Sequence, residues 1–238
     1  MSITNKFPYK EMSKVSVDGK RRYLTPDGLK VPSVTTILDA TKSEESKQAL
    51  ANWRKNVGYA KAAAITTEAA GRGTRMHKWI EDYIKVDKIG DPGSNPYSQQ
   101  SHLMATQIIE KGLVNCNEYW GTEVSLHFPE VYAGTTDLCG IHGGAEAIMD
   151  HKQSNKPKKR EWIDDYFVQT AAYAIAHNEV FNTKIRKGVI FMCVPPERNA
   201  DNTWSVPQYL EFIVEGNEFD KYENMWWKRL EAYYSQLV

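Results

Sequence analysis

The stretch VYAGTTDLCGIHGGAEAIMDHKQSNKPKKR, residues 131–160, decides how this chain is read. Val131 to Leu138 and Glu146 to His151 have the composition of strands, with Gly140-Ile141-His142-Gly143-Gly144 as the turn between them. Glu123 to Phe128 forms a third strand ahead of them, across Pro129-Glu130. Three consecutive short strands predict a β-meander. Asp137 closes one of them after Gly134-Thr135-Thr136, and Asp150 closes the next. Lys152 follows Asp150 by two, so a period of two sends both side chains to one face and His151 to the other. Neighbouring strands lie about 4.8 Å apart, close enough for the two carboxylates to converge. Paired carboxylates in an apolar sheet repel and lose hydration unless a cation sits between them. Hard oxygen ligands with open positions suit Mg²⁺ or Mn²⁺, and an ammonium beside such an ion can orient or deprotonate a water lined up on phosphorus. The competing reading is an Asp–Lys ion pair on an exposed edge, with Asp137 in a turn.

Working outward, the segment before the meander is helical. Ser43 or Ser46 can cap a helix carrying Ala49, Leu50, Trp53 and Val57, and residues 61–89 form a long helical zone broken near Gly71 and Gly73. Its last part aligns Met76, Ile80, Tyr83 and Ile84. Gly90 to Asn95 reads as a loop, and a helix follows from Tyr97 to Gly112. The first thirty residues read as a small ribbon, with Val15–Val17 and Arg22–Leu24 flanking Asp18-Gly19, then a turn at Pro26-Asp27-Gly28. After the meander come a helix over 162–181, a buried strand over 185–194, a strand over 207–214 and an amphipathic helix over 217–237. The expected architecture is an α/β (α+β) domain on a mixed central sheet flanked by helices, with a helical N-terminal region and an N-terminal β-ribbon. Residues 1–30 are the ribbon or arm and 31–238 a single domain: a helical part over 43–112, an αβββαβ core over 73–195, and a C-terminal strand and helix over 205–238.

Composition excludes several classes. The 238 residues are 41% hydrophobic and 25% charged, ordinary for a folded globular chain and unlike a disordered or fibrous one. No apolar run approaches the roughly 18–20 residues of a membrane span. The opening MSITNKFPYK resembles neither a signal nor a transit peptide, so a cytoplasmic, non-secreted protein is expected. Cys116, Cys139 and Cys193 are too few and too scattered for a disulfide framework or zinc knuckle. Net charge is zero, yet residues 1–78 carry 15 basic against 7 acidic groups, a net +8, balanced by −8 in the remainder. Such polarity points to an anionic partner on one side, or to mutual neutralisation within the fold.

Three further features bear on the Asp137–Asp150–Lys152 group. His77, in GTRMHKWIEDYI, lies four residues before Glu81 on one helix face, where an imidazole could complete a metal shell or simply pack beside Trp79. Gln169 and Tyr173, also four apart, stand on the helix after the lysine strand, and Gln169 can bond a phosphate, a water or the lysine. The run from Lys152 to Arg160 holds five basic residues in nine, including Lys156, Lys158 and Lys159, with Ser154 able to bond phosphate oxygens.

GTTDLCG, then AIMDHKQSNKPKK, then QTAAYA resembles the PD-(D/E)XK nuclease superfamily. With Gly73-Thr-Arg-Met-His77 upstream, the RecB-type branch is the most similar. VPSVTTIL (31–38) and the D-x-K-x-S-x-K spacing resemble the subgroup of mitochondrial genome maintenance exonucleases and their phage relatives. The likeness spans roughly residues 31–176. It implies a restriction-endonuclease-like core with His77, Asp137, Asp150 and the backbone carbonyl of His151 as metal ligands. It makes Lys152 the catalytic lysine and Gln169 with Tyr173 the trailing motif; Glu81 and Glu123 would act through water or steady the lysine. Mg²⁺ or Mn²⁺ is the implied cofactor, and three cysteines cannot supply the four an iron–sulfur cluster needs. The implied activity is metal-dependent DNA exonuclease, favouring single strands or free ends, in phage or bacterial replication, recombination or degradation. The basic N-terminal segment, Arg72, Arg75, Ser154 and Lys156 to Arg160 would hold the backbone, and Trp53, Tyr59, Trp79 and Trp162 could stack on bases. A structure-selective or restriction-type endonuclease and a catalytically inactive nucleic-acid-binding relative are the alternatives.

Overall fold

The computed structural model describes residues 2–237. An antiparallel ribbon comes first, made of β1 (Lys14–Val17), β2 (Lys20–Leu24) and a short third strand, β3 (Lys30–Pro32). Asp18 and Gly19 turn the hairpin in left-handed conformations, φ 52° and 72°. The VPSVTTIL segment, which carries no element in the sequence reading, becomes the end of β3 and the helix α1 (Val34–Ala40). Ser33 caps α1 by accepting the Thr36 N–H at 3.0 Å. Two longer helices follow, α2 (Glu44–Val57), capped by Ser43, and α3 (Tyr59–Val86).

The expected break near Gly71 and Gly73 does not occur: α3 runs through both. A Cβ at Gly73 would make only an ordinary 3.4 Å contact with the Gln153 side chain, where α3 packs on the exit of β6. Burial of Met76, Ile80 and Ile84 below it offsets the roughly 1 kcal/mol that each helical glycine costs. Asn95, with Pro96 behind it, starts α4 (Pro96–Lys111).

The central sheet contains β4 (Cys116–Phe128), β5 (Tyr132–His142), β6 (Ala145–Gln153), β7 (Lys187–Val194) and β8 (Gln208–Glu215), adjacent in that order. The first three make the antiparallel meander. Helix α5 (Asp164–Phe181) crosses over to place β7 parallel to β6, and β8 returns antiparallel ahead of α6 (Asn217–Ser235). The predicted strands were too short. Ile141 and His142 stay paired with β4, so only Gly143-Gly144 turn, and Asp137 lies inside β5 rather than at its end.

Alternation along the sheet separates two cores. Leu138, Met149, Val189 and Phe191 pack under α3 and α4, while Cys139, Ile148, Ile190 and Met192 pack under α1, α5 and α6. Strand β7 is therefore buried on both faces, which explains its near-continuous apolar sequence, and β6 is buried over Ala147–His151. Among the described residues no helix is long and apolar enough to cross a membrane.

Candidate active site

The site forms where two strands of the meander part. The β5–β6 ladder ends at Leu138↔Met149, which makes Asp137 and Asp150 the next opposed positions. Beyond them β6 stays with β7 as far as Gln153↔Cys193, while β5 stays with β4 as far as Phe128↔Tyr132. In place of a ladder bond, Asp137 Oδ2 accepts the His151 backbone N–H at 2.6 Å. A cleft of about 200 Å³ opens in the fork, lined among others by His77, Glu123, Asp137, Asp150, Lys152 and Gln169.

One group gathers on Asp137. His77 projects from α3, one turn after Gly73, with Nδ1 3.3 Å from Asp137 Oδ1. His151 Nδ1 lies 3.9 Å from Asp137 Oδ2, and its ring packs edge-on to His77 and stacks on Phe191. Burial acts to raise the Asp137 pKa, but the His77 charge and hydrogen bond overcome it and hold the carboxyl well below the usual range. Burial likewise opposes the charged form of His77, yet Asp137 raises its pKa to about 9. His151 is pushed down to about 4 by burial, so its ring is neutral at pH 7.

A second group is organised by Lys152. Its Nζ lies 2.6 Å from Asp150 Oδ2, donates to Gln169 Oε1 at 3.1 Å and sits 4.9 Å above the Tyr166 ring. Gln169 Nε2 donates in turn to the Tyr173 hydroxyl at 3.4 Å. Tyr173 lies on bare backbone: a Cβ at Gly134 would approach its ring to 2.6 Å, which is why the strand needs glycine there. Burial raises the Asp150 pKa, and Asp137 adds to it against the opposing pull of Lys152. Desolvation opposes the Lys152 ammonium, but Asp150 and Asp137 more than compensate and raise its pKa, so the lysine stays charged.

The donors fit a divalent cation. Ligand atoms of His77, Asp137 and His151 all lie within 4.8 Å of one another, and His151 Nε2 is buried with no hydrogen-bond partner among the described residues. This differs from the expected set in one respect. The His151 imidazole joins the cluster, while Asp150, in the same cleft, is engaged by Lys152. Asp150 and His151 face opposite sides of β6, as alternation predicts, but Asp137 occupies a gap in the sheet and is reached from both faces.

The other candidates separate cleanly. Glu123 is exposed at the cleft rim, opposite Asp137 in register, with a left-handed φ of 52° in mid-strand. Glu81 sits in the adjoining groove beside Gly73 and Thr74, where it pairs with Lys85 and Lys78. Arg72 is not available to a nucleic acid: it is 4% exposed and donates to Gln153 and Asn155, tying α3 to the exit of β6. Ser154 is buried and donates to the Lys156 carbonyl. Arg160 pairs with Glu218 at 2.7 Å and donates to the Ile213 carbonyl. Arg75 donates to Ser101 and packs over Tyr97, bracing α3 on α4. These side chains occur in the basic motifs, but the fold spends them on its own carbonyls and carboxylates. Lys156, Lys158 and Lys159 remain exposed, with Lys159 Nζ 5.3 Å from the ring of Trp162. Of the aromatics named for stacking, Trp162 and Tyr59 are exposed, Trp53 is half-buried, and Trp79 packs edge-on to His102.

Sequence reasoning missed the ribbon's part in the site. Tyr23 bonds the Thr135 hydroxyl at 3.1 Å, and Lys14 and Arg21 line the cleft beside it. The only signal for this was the positive charge of the N-terminal third.

No protein-family model matches the chain, and comparison with curated proteins gives no match either. Among solved structures it is similar to a protein named as a candidate exonuclease from Eubacterium rectale, at 15% identity and a TM-score of 0.46 over 72% of this chain and 69% of that one. It is also similar to a phage-related exonuclease from Haemophilus somnus 129PT, at 15% identity and a TM-score of 0.38 over 88% of this chain and 95% of that one. Both likenesses are remote in sequence and in shape.

Proposed function

We propose that this chain is a divalent-cation-dependent nuclease that hydrolyses phosphodiester bonds of DNA. The observation that supports this best is the meeting, in one cleft, of the His77–Asp137–His151 donors with the Asp150–Lys152–Gln169 chain. In the proposed site His77, Asp137 and His151, with Asp150 alongside, would hold Mg²⁺ or Mn²⁺. When bound, such an ion supplies Lewis-acid polarisation of the phosphate and an acidified water.

The chain's own groups have distinct tasks. Because its pKa is raised, Lys152 acts as a proton donor and fixed positive charge, not as a base. It directs an N–H at the water or the phosphate oxygens and offsets charge that builds on phosphorus as the P–O bond to the leaving group breaks. Asp150 and Gln169 hold the ammonium in place, and Tyr173, braced on Gly134, holds Gln169. Lys156, Lys158 and Lys159, exposed after β6, suit contact with the DNA backbone. A narrow cleft walled by the ribbon, α3 and α5 favours a single strand at a free end, which makes the preferred reading an exonuclease of phage or bacterial DNA metabolism.

The test uses end-labelled single- and double-stranded oligonucleotides with Mg²⁺ or EDTA, alongside circular single-stranded DNA. Mg²⁺-dependent shortening of linear single strands is expected, with circles left intact. Asp150→Ala and Lys152→Ala should abolish cleavage while the circular dichroism spectrum stays native. Activity surviving in either variant refutes the site, and cutting of circles refutes the exonuclease reading.

A further inference from the structure

A second groove runs from the cleft between the ribbon and α1. It encloses about 800 Å³, and Lys14, Ser16, Lys20, Arg21, Thr35 and Thr36 are among its lining residues. Lys14, Arg21 and Thr35 also line the cleft that holds Asp137 and Asp150, so the two hollows are continuous. The register Lys14↔Tyr23 and Ser16↔Arg21 places these four side chains on one face of the ribbon. The Tyr23–Thr135 hydrogen bond turns that face toward the cleft. The Arg21 carbonyl accepts from the Thr36 hydroxyl at 3.1 Å and from the Ser33 N–H at 3.3 Å, which joins the two walls along the floor.

Of the basic side chains in this groove, Lys14 acts on the Glu123 carboxylate at the cleft rim without pairing directly with it. Lys14, Lys20 and Arg21 have no ion-pair or hydrogen-bond partner among the described residues, in contrast to Arg72 and Arg160. The one acidic lining residue, Asp39, is taken by Lys42 at 2.5 Å. Lys14 and Arg21 on one face of the ribbon, with Lys20 at the hairpin end of the groove, concentrate positive potential and suit a chain of anions at regular spacing. The groove ends at the proposed phosphoryl-transfer site, so the anion it fits is the phosphodiester backbone of the strand being cut.

Resting on the nuclease reading above, we propose that the slot between the ribbon and α1 is the track for the unpaired DNA strand adjoining the scissile phosphate, with Lys14, Lys20 and Arg21 on its phosphates. The slot shares Lys14, Arg21 and Thr35 with the cleft, so a strand lying in it is carried to Asp137 and Asp150.

The test is binding without turnover, in full-length protein carrying Asp150→Asn. Fluorescence anisotropy with labelled dT20, and with a 20-base-pair duplex, is measured from 50 to 300 mM KCl. Lys14→Gln/Arg21→Gln should weaken dT20 binding about tenfold near 0.1 M salt. It should also flatten the log K–log salt slope by about 1.4, two phosphates at roughly 0.7 each. Lys20→Gln, outside the cleft, should flatten it by about 0.7. If the double variant melts early, the Lys14→Gln and Arg21→Gln single variants, each expected to flatten the slope by about 0.7, decide. Unchanged affinity and slope overturn the track, and equal losses on dT20 and duplex overturn the single-strand assignment. Because no cleavage is scored, these results stand apart from the nuclease test, which reads turnover by the wild-type protein.

Discussion

Asp137 and His151 are joined across the fork of the sheet: the carboxylate of one takes the backbone N–H of the other at 2.6 Å, where the ladder between β5 and β6 stops. One side chain therefore both terminates the strand pairing and stands at the centre of the proposed cation site. Asp137→Ala should leave a buried N–H unsatisfied and lower stability by about 1–3 kcal/mol. Asp137→Asn keeps an acceptor oxygen and should retain most of that stability while losing cation binding and cleavage. Urea denaturation and Mn²⁺ titration calorimetry of the two variants check this; equal stabilities would argue against the wedge.

The Lys152 ammonium is the partner of a nearly buried carboxylate. Lys152→Ala should abolish detectable cleavage, a loss in kcat beyond the roughly 100- to 1,000-fold that removing one preorganised donor costs. Asp150, its pKa already raised by burial and Asp137, should then take up a proton at neutral pH. Infrared difference spectra against Lys152→Ala/Asp150→Asn should reveal that protonated carboxyl, and its absence would contradict the assigned electrostatics.

The two imidazoles set opposite pH limits on the metal-free protein. His77 is raised from 6.5 to about 9 in the folded state. Its contribution is complete below pH 6.5 and is lost as pH climbs through 9. His151 is lowered from 6.5 to about 4, so the unfolded chain binds the extra proton between those values and stability falls as pH drops from 6.5 toward 4. Maximum stability near pH 6.5 in EDTA is expected. His77→Gln should flatten the alkaline side, and His151→Gln should remove part of the acid-side slope, the buried His177, also held down to about 4, supplying the rest. Metal binding at pH 7.5 should release close to one proton, measured by calorimetry in buffers of different ionisation enthalpy.

Gly134→Ala introduces a Cβ where the Tyr173 ring already lies. Overpacking of this kind costs about 1–3 kcal/mol. It should also displace Gln169 from Lys152 and reduce kcat. Adding Tyr173→Ala should recover part of the stability but none of the activity, a coupling of about 0.5–3 kcal/mol in a double-mutant cycle. Strictly additive losses would mean the two residues do not meet.

Arg72 and the exposed lysines of the loop after β6 should behave as different kinds of residue. Arg72→Gln should cost about 1–3 kcal/mol of stability through its lost bonds to Gln153 and Asn155. It should leave the salt slope of DNA binding unchanged. Lys158→Gln/Lys159→Gln should do the reverse, holding stability within about 0.5 kcal/mol while flattening the slope.

Local pattern alone determined a good deal of this molecule. Period two along 131–152 made a meander and put Asp150 and Lys152 on one face. Period 3.6 aligned the Met76–Ile80–Ile84 stripe, His77 with Glu81, and Gln169 with Tyr173. These readings hold because each depends on neighbours a few residues away. The continuity of α3 through Gly73, the uses of Arg72 and Arg160, and the inclusion of the His151 imidazole were decided by tertiary structure. So was the ribbon wall of Lys14, Tyr23 and Arg21. Each depends on what stands opposite a side chain: a core that buries the face of α3 beyond its glycines, a carboxylate or carbonyl that claims an arginine, a parted ladder that exposes Asp137 to both faces of the sheet. Spacing along a chain specifies which way a residue points, and only the packed fold specifies what it meets there.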